Sequence, residues 1–368
     1  VATAIVSDLH LGTVSGGDVT RRPEIRQRLL EALAAADRVV LLGDALELRE
    51  RPSAEVLELA RPLLEGIGEV TEQKQLVIVP GNHDHELVAP ALEAARLDGA
   101  TTLPAEGTFD PAHGPLAARV AALMPRTEVV LAYPGIRLRK DVYATHGHYL
   151  DMHLTVPRME CVLASAIERF TGVRTAGGPA IDTYEAALAP LYAFAQSVVQ
   201  GSPARAVTKG GDLSRSVWRR SSPDGGRSLA GLALGKVAIP AAVAAVNAAG
   251  LGPFRADISG TELRRAGLRA MAGVVAATGI RADHVIFGHT HRAGPLDGDV
   301  EGWWLPGGTR LTNTGSWLYE AVFVDGSGPE NPYWPGTVTW LSDTGPPEQV
   351  GVLADVELPG RSPHLASS

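Results

Sequence analysis

Five short polar motifs carry the residue types that could do chemistry: Asp8-Leu9-His10, Gly43-Asp44, Gly81-Asn82-His83-Asp84, His146-Gly147-His148 and Gly288-His289-Thr290-His291. Each follows an apolar run. Strand ends are where α/β folds gather ligands, because the adjoining loops converge while the sheet holds their bases. Alone, an Asp-x-His or a Gly-Asp after a strand reads as a turn or a cap; five in order read as a site. Carboxylates, an amide oxygen and imidazoles without a thiolate suit hard-to-borderline divalent metals. Asp8 and His10 are two apart, as are His289 and His291, so alternate side chains can enter from one segment. Two metals about 3.5–4 Å apart clamp the attacking and leaving oxygens of a displacement at phosphorus, so the chemistry expected is metal-assisted hydrolysis.

The elements that must position these motifs are legible as alternating periods. Apolar runs predict strands over 2–7, 38–42, 76–80, 128–133 and 141–145, and helical spacing predicts helices over 24–36, 54–67 and 115–123. The first strands are near-continuous Val, Ile and Leu, as expected when both faces of a sheet are covered. Residues 101–114 read as loops. From about 150 to 278 the strand signal fades and helical candidates take over at 158–170, 181–199, 229–249 and 261–277. Strands resume at 284–287, 317–324, 337–341 and 350–356. The organisation predicted is an α/β core over 1–149, a mainly helical insertion or cap over 150–278, a second core part over 279–358 and a flexible tail over 359–368.

The set DLH, GD, GNHD, HGH and GHTH resembles the calcineurin-like metallophosphoesterase superfamily, from Asp8 to His291. The resemblance implies a two-sheet α+β sandwich with helices outside. It further implies two divalent metals, Mn²⁺, Fe²⁺/Fe³⁺ or Zn²⁺. Asp8, His10 and His291 would bind one metal, Asp44 would bridge, and Asn82, His146 and His289 would complete the second site. His83 would be the histidine beside the leaving group, with Asp84 orienting or charging it. Either histidine of His146-Gly147-His148 can face the site; the family position is His146, which leaves His148 to the substrate or to a supporting place. The implied reaction is in-line attack on a phosphomonoester or phosphodiester by a metal-bridging hydroxide. Asn313-Thr314-Gly315-Ser316 resembles a family segment that starts a strand beneath the site. The branch that cleaves a lipid-linked nucleotide pyrophosphate has an arginine where His83 stands and a shorter insertion, so that substrate does not follow.

Composition sets the alternatives. The 368 residues carry 33 Lys and Arg against 41 Asp and Glu, a formal charge of −8, and aromatics are only 5%, which argues against a nucleic-acid groove. A nuclease, a nucleotide or lipid-linked pyrophosphate hydrolase and a non-catalytic scaffold are the competing classes. The expected partner is a phosphorylated small molecule or lipid, with Arg215, Arg219 and Arg220 of a Ser- and Gly-rich loop available to its phosphate. The single cysteine, Cys161, excludes an internal disulfide and fits a cytoplasmic setting. VATAIVSD reads as a first strand rather than a signal peptide. The Ala-, Val- and Leu-rich stretch 229–251 is broken by Lys236, Pro240 and Asn247. It reads as a buried or dimer-forming helix ahead of peripheral membrane contact.

Overall fold

Two β-sheets lie face to face with helices on both outer sides in the computed structural model, which describes residues 1–154, 180–201, 260–324 and 327–358, with Gly172, Ala244, Asn247, Ala248 and Gly252 described singly. The first sheet has the strand order β12-β11-β1-β2-β3-β5-β4. Its strands are β1 (Thr3–Val6), β2 (Arg38–Leu42), β3 (Gln75–Val79), β4 (Gly107–Phe109), β5 (Glu128–Tyr133), β11 (Thr337–Leu341) and β12 (Glu348–Gly351). β1, β2, β3 and β5 are parallel, with Ile5 opposite Val40 and Val40 opposite Val77; β11 joins β1 antiparallel and β4 closes the other edge. The second sheet, β6-β7-β8-β10-β9, uses β6 (Gly135–Arg139), β7 (Val142–Thr145), β8 (His284–Phe287), β9 (Ala293–Gly294) and β10 (Arg310–Thr314), with β7, β8 and β10 parallel.

The side-chain period of two sorts the core into three layers. Ile5, Val40, Leu42, Val77 and Val79 face Val142, Ala144 and Ile286 between the sheets. Their neighbours Ala4, Val6, Val39, Leu41 and Ile78 point outward under α1 (Pro23–Ala34), α2 (Ser53–Val70) and α4 (Pro115–Ala122). α1 starts at a proline suited to the first helical turn and buries Ile25, Leu29 and Leu33, one stripe spaced by four. On the far side, Tyr143, Val285 and Phe287 pack under α5 (Ala180–Gly201) and α6 (Gly260–Thr278) through Tyr184, Leu188, Met271 and Val274. These two helices lie between β7 and β8 in the chain and form the outer layer of the second sheet. No helix among the described residues is long and apolar enough to cross a membrane.

The structure departs from the sequence reading where the apolar signal is thin or misleading. Within 101–114, read as loops, β4 pairs with β5, and α3 (Ala89–Leu97) precedes that stretch. β6, with three Arg and Gly positions in GIRLR, showed no strand pattern. Residues 317–324, read as a strand, are a loop and a short helix, α7 (Ala321–Val324); Trp317 and Leu318 are apolar because they are buried in the core. The strand is β10, whose polar RLTNT hid it, so Asn313 and Thr314 end a strand rather than begin one. Helix 158–170, nearly all of 229–249, the loop with Arg215, Arg219 and Arg220, and the tail 359–368 lie outside the described residues.

Candidate metal centre

All five motifs leave the carboxyl ends of parallel strands: Asp8 and His10 after β1, Asp44 after β2, Asn82 and His83 after β3, His146 after β7, and His289 and His291 after β8. The loops after β1 and β2 continue side by side through Asp8 N–H to the Gly43 carbonyl (3.0 Å) and His10 N–H to the Asp44 carbonyl (2.8 Å). Five of the seven expected ligands sit at positive φ: Asp8 (53°), His10 (44°), Asp44 (51°), His289 (68°) and His291 (57°). L-residues rarely adopt this conformation, and each instance costs on the order of 1–2 kcal/mol. Such strain persists only where surrounding structure enforces it, and here it turns each side chain inward. Room for the ligands comes from glycine: a Cβ on Gly81 would lie 2.3 Å from Asp44 Oδ1, and one on Gly43 would lie 2.1 Å from His146 Nδ1.

Among the described residues three groups of ligand atoms result: Asp8, His10 and His291; Asp44, His146 and His289; and, between them, His10, Asp44 and His83. In the first, His10 Nε2 and His291 Nε2 are 3.0 Å apart, and His291 Nε2 is 3.4 Å from Asp8 Oδ1. In the second, His146 Nε2 is 3.1 Å from Asp44 Oδ2 and 3.3 Å from Asn82 Oδ1. Asn82 with its amide turned round would donate to Asp44, His289 Nδ1 and His146 and accept from Arg49, a bonded arrangement that needs no cation. Either way, three acceptors converge on one amide, and with the oxygen inward the group becomes a set of lone pairs around one point. Asp8 Oδ1 is buried without a hydrogen bond among the described residues. Converging buried acceptors and an orphaned carboxylate oxygen fit two divalent cations.

The outer nitrogen of every candidate histidine ligand has an acceptor, which fixes the tautomer and leaves the inner lone pair for a cation. His10 Nδ1–H faces Glu47 (2.9 Å), His146 Nδ1–H the Leu42 carbonyl (3.0 Å), His289 Nε2–H Asp151 (3.0 Å) and His291 Nδ1–H Glu320 (3.5 Å). Asp8 is held by the Ser7 hydroxyl, which also meets Thr314 (2.6 Å), and Asn313 donates to the Gly288 carbonyl (3.0 Å) and Thr290 (2.8 Å). Glu47, Asp151 and Glu320 escaped the sequence reading. The one available signal was Glu47, an acidic residue inside the apolar run Ala45-Leu46-Glu47-Leu48.

Asp84 and His148 lie behind the ligands rather than among them. Asp84 does not orient His83: its carboxylate accepts from the backbone N–H groups of Gly81 (2.7 Å), Ala45 (2.8 Å), Leu46 (3.2 Å) and Asp44 (3.3 Å), pinning the second and third loops together. Burial and the Asp44 charge push its pKa up to about 6. The group on the His83 ring is Glu47, 2.8 Å from Nδ1. Burial would lower the His83 imidazole, but Glu47 and Asp44 outweigh it and raise its pKa above 6.5. Burial would likewise raise Glu47, yet His83 and His10 hold it well below the usual carboxylate range. His148 is not at the substrate side: it is 1% exposed, packs behind His146 and meets the Tyr133 hydroxyl (3.1 Å). Burial and the neighbouring His146 hold it well below 6.5.

Residues 2–168 match the family model described as calcineurin-like phosphoesterase, and over that stretch the chain belongs to the calcineurin-like metallophosphoesterase superfamily. The match takes in Asp8 to His146, and the fold brings His289 and His291 to the same centre. Family and paired His/Asp groups together make the protein a metallophosphoesterase-type hydrolase. No curated protein matches the chain. Similar solved structures include a cold-active protein-tyrosine phosphatase of a psychrophilic Shewanella species, 14% identical over 95% of this chain and 80% of that one, with a TM-score of 0.30. A mutant cold-active protein tyrosine phosphatase is 13% identical with the same coverages and TM-score. At that score the likenesses bear on neither fold nor function.

Proposed function

We propose that the protein hydrolyses a phosphomonoester or phosphodiester of a small molecule or lipid at a centre of two divalent cations. The observation that carries this reading is the pair of ligand groups at the ends of parallel strands, Asp8, His10 and His291 and Asp44, His146 and His289, linked by a third that sets His10 beside Asp44, each histidine ligand backed by an acceptor. Asp8, His10 and His291 would hold one cation and Asn82, His146 and His289 the other, with Asp44 available to both. When bound, two such cations lower the pKa of water and neutralise phosphoryl oxygens. Mn²⁺, Fe²⁺/Fe³⁺ and Zn²⁺ suit the nitrogen and oxygen donors.

The chain's own residues supply the rest. His83 is one-quarter exposed, lines the adjoining cavity, and keeps Nδ1 on Glu47. Its other nitrogen can therefore give a proton to the departing alkoxide, and its raised pKa keeps that proton available near neutrality. A cytoplasmic location completes the reading. The test is a screen of phosphomonoesters, phosphodiesters and nucleotide pyrophosphates with added Mn²⁺, on the parent protein and His83→Ala. Turnover on one ester class that falls by about 10²-fold or more in the variant supports the proposal. Equal rates for parent and variant overturn the role of His83, and no turnover on any ester overturns the function.

A further inference from the structure

A cavity of about 530 Å³ opens beside the metal centre, with Arg49, Asn82 and His83 at its inner end. One wall is α3, through Pro90 and Leu92; the other is α5, through Ala189, Tyr192 and Ala193. The charges of Glu93 and Arg96 stand on its exposed side, more than half accessible, and Glu86, partly buried, lines it too, while Ala89, Pro90, Leu92, Ala189 and Pro190 make the walls between the helices apolar. Tyr192 stands apart from the other polar residues of the lining. It is 5% exposed, yet its hydroxyl has no hydrogen-bond partner among the described residues. Its ring packs against His85 (5.5 Å between centroids) and His148 (5.8 Å), which wedge it between the third loop and the histidine behind His146.

Of the polar groups around Tyr192, Glu185 and His85 are engaged with each other, while His148 Nδ1 is, like the hydroxyl, without a hydrogen-bond partner among the described residues. Glu185, two turns earlier on α5, accepts from Tyr133, from Tyr149 (2.9 Å) and from His85 (3.2 Å), and so anchors the helix without using Tyr192. A buried hydroxyl left unpaired is costly, so a tyrosine rather than a phenylalanine here points to a ligand that completes it. Burial, Asp151, Glu185 and Asp44 hold the phenol well above 10, which keeps it a donor. A donor needs an acceptor, and the acceptors expected beside Asn82 and His83 are phosphoryl oxygens.

We propose that this cavity is the leaving-group pocket for phosphoesters of uncharged aryl or alkyl alcohols, and that Tyr192 donates its hydroxyl to a phosphoryl oxygen of the bound ester. The inference rests on the phosphoesterase reading and adds a substrate class and a catalytic residue from α5. The apolar walls take the organic group, and a helix between β7 and β8 becomes part of the active site.

The test uses the full chain loaded with Mn²⁺, phenyl phosphate as substrate, and phenylphosphonate, which is not hydrolysed, as a calorimetric binding probe. Tyr192→Phe should lower kcat/KM for phenyl phosphate roughly tenfold and weaken phenylphosphonate binding, with metal content and Tm unchanged. Ala193→Trp, at an exposed position that tolerates bulk, should raise KM for phenyl phosphate at least about fivefold while inhibition by inorganic phosphate, which has no organic group, moves less than about twofold. Both variants within twofold of the parent on every readout overturn the inference while leaving the phosphoesterase reading intact. A parent that binds phenylphosphonate more tightly than Tyr192→Phe but turns over no ester supports the pocket and overturns that reading. A parent that neither binds the probe nor turns over overturns both.

Discussion

At the scale of single residues, the account turns on how the ligands are held. Glu47 sets one oxygen against His10 and both against His83, so Glu47→Gln should disturb both a ligand and the acid. The expected result is a fall of roughly 10–100-fold in turnover or metal affinity, read by kinetics and metal titration. Protons compete for the same lone pairs. In the cation-free centre burial lowers His146, but Asp44 and Asp8 outweigh it and push it up to about 9; for His291, Asp8 and Glu320 do the same, to about 10. A cation must displace those protons, so affinity for Mn²⁺ should rise with pH up to about 9, with protons released in a weakly buffered titration. The same raised values stabilise the cation-free fold fully below pH 6.5 and lose that contribution as pH rises through about 9, so its Tm should decline over that window. The ligand types and spacing were legible in the sequence. Glu47, Asp151 and Glu320 were not, because a lone acidic residue gives no sign of whether a loop will fold its carboxylate inward. Nor could positive φ be read at Asp8 or His289, since neither residue type demands it.

At the scale of elements, strand ends and glycines set the geometry. Gly81→Ala would drive a Cβ to 2.3 Å from Asp44 Oδ1 and 2.6 Å from the His146 ring, and neither buried group has room to move. Metal affinity should drop at least about tenfold by titration while circular dichroism stays native, since the strain falls on one loop. α5 is fastened by Glu185, a buried carboxylate with two phenols and an imidazole on it. Glu185→Ala removes the acceptor of Tyr149 and His85 and one of the two partners of Tyr133, and should cost roughly 2–4 kcal/mol, read as a Tm lower by about 5 °C or more. β2 and β5 follow the sequence reading residue for residue, because long Val-Val-Leu runs have no other stable use in a two-faced sheet. β4, β6 and β10 hid because edge and polar strands draw their pairing from neighbours rather than from their own pattern. The buried Trp317 misled in the opposite direction: its indole fills the core and donates to the Thr337 carbonyl without belonging to a strand.

At the scale of the whole molecule, two sheets bring loops from the two ends of the chain to one point, with Asp8 and His291 separated by most of the sequence yet 3.4 Å apart. Charge follows function here: an overall −8 repels polyanions, while a local pair of cations would make the centre attractive to a single phosphoryl group. The two-cation hydrolytic centre is therefore the claim on which every other part depends, and Asp44, a member of the second ligand group that also lies beside His10 of the first, is its pivot. The most direct measurement is elemental analysis of the purified protein beside hydrolysis of a chromogenic phosphoester with added Mn²⁺, for the parent and Asp44→Asn. The account predicts about two cations per chain and metal-dependent turnover in the parent, with the loss of at least one cation and at least about 10²-fold of the activity in the variant. A well-folded parent that binds no cation and hydrolyses nothing with Mn²⁺, or a variant that keeps both cations and full activity, would contradict it.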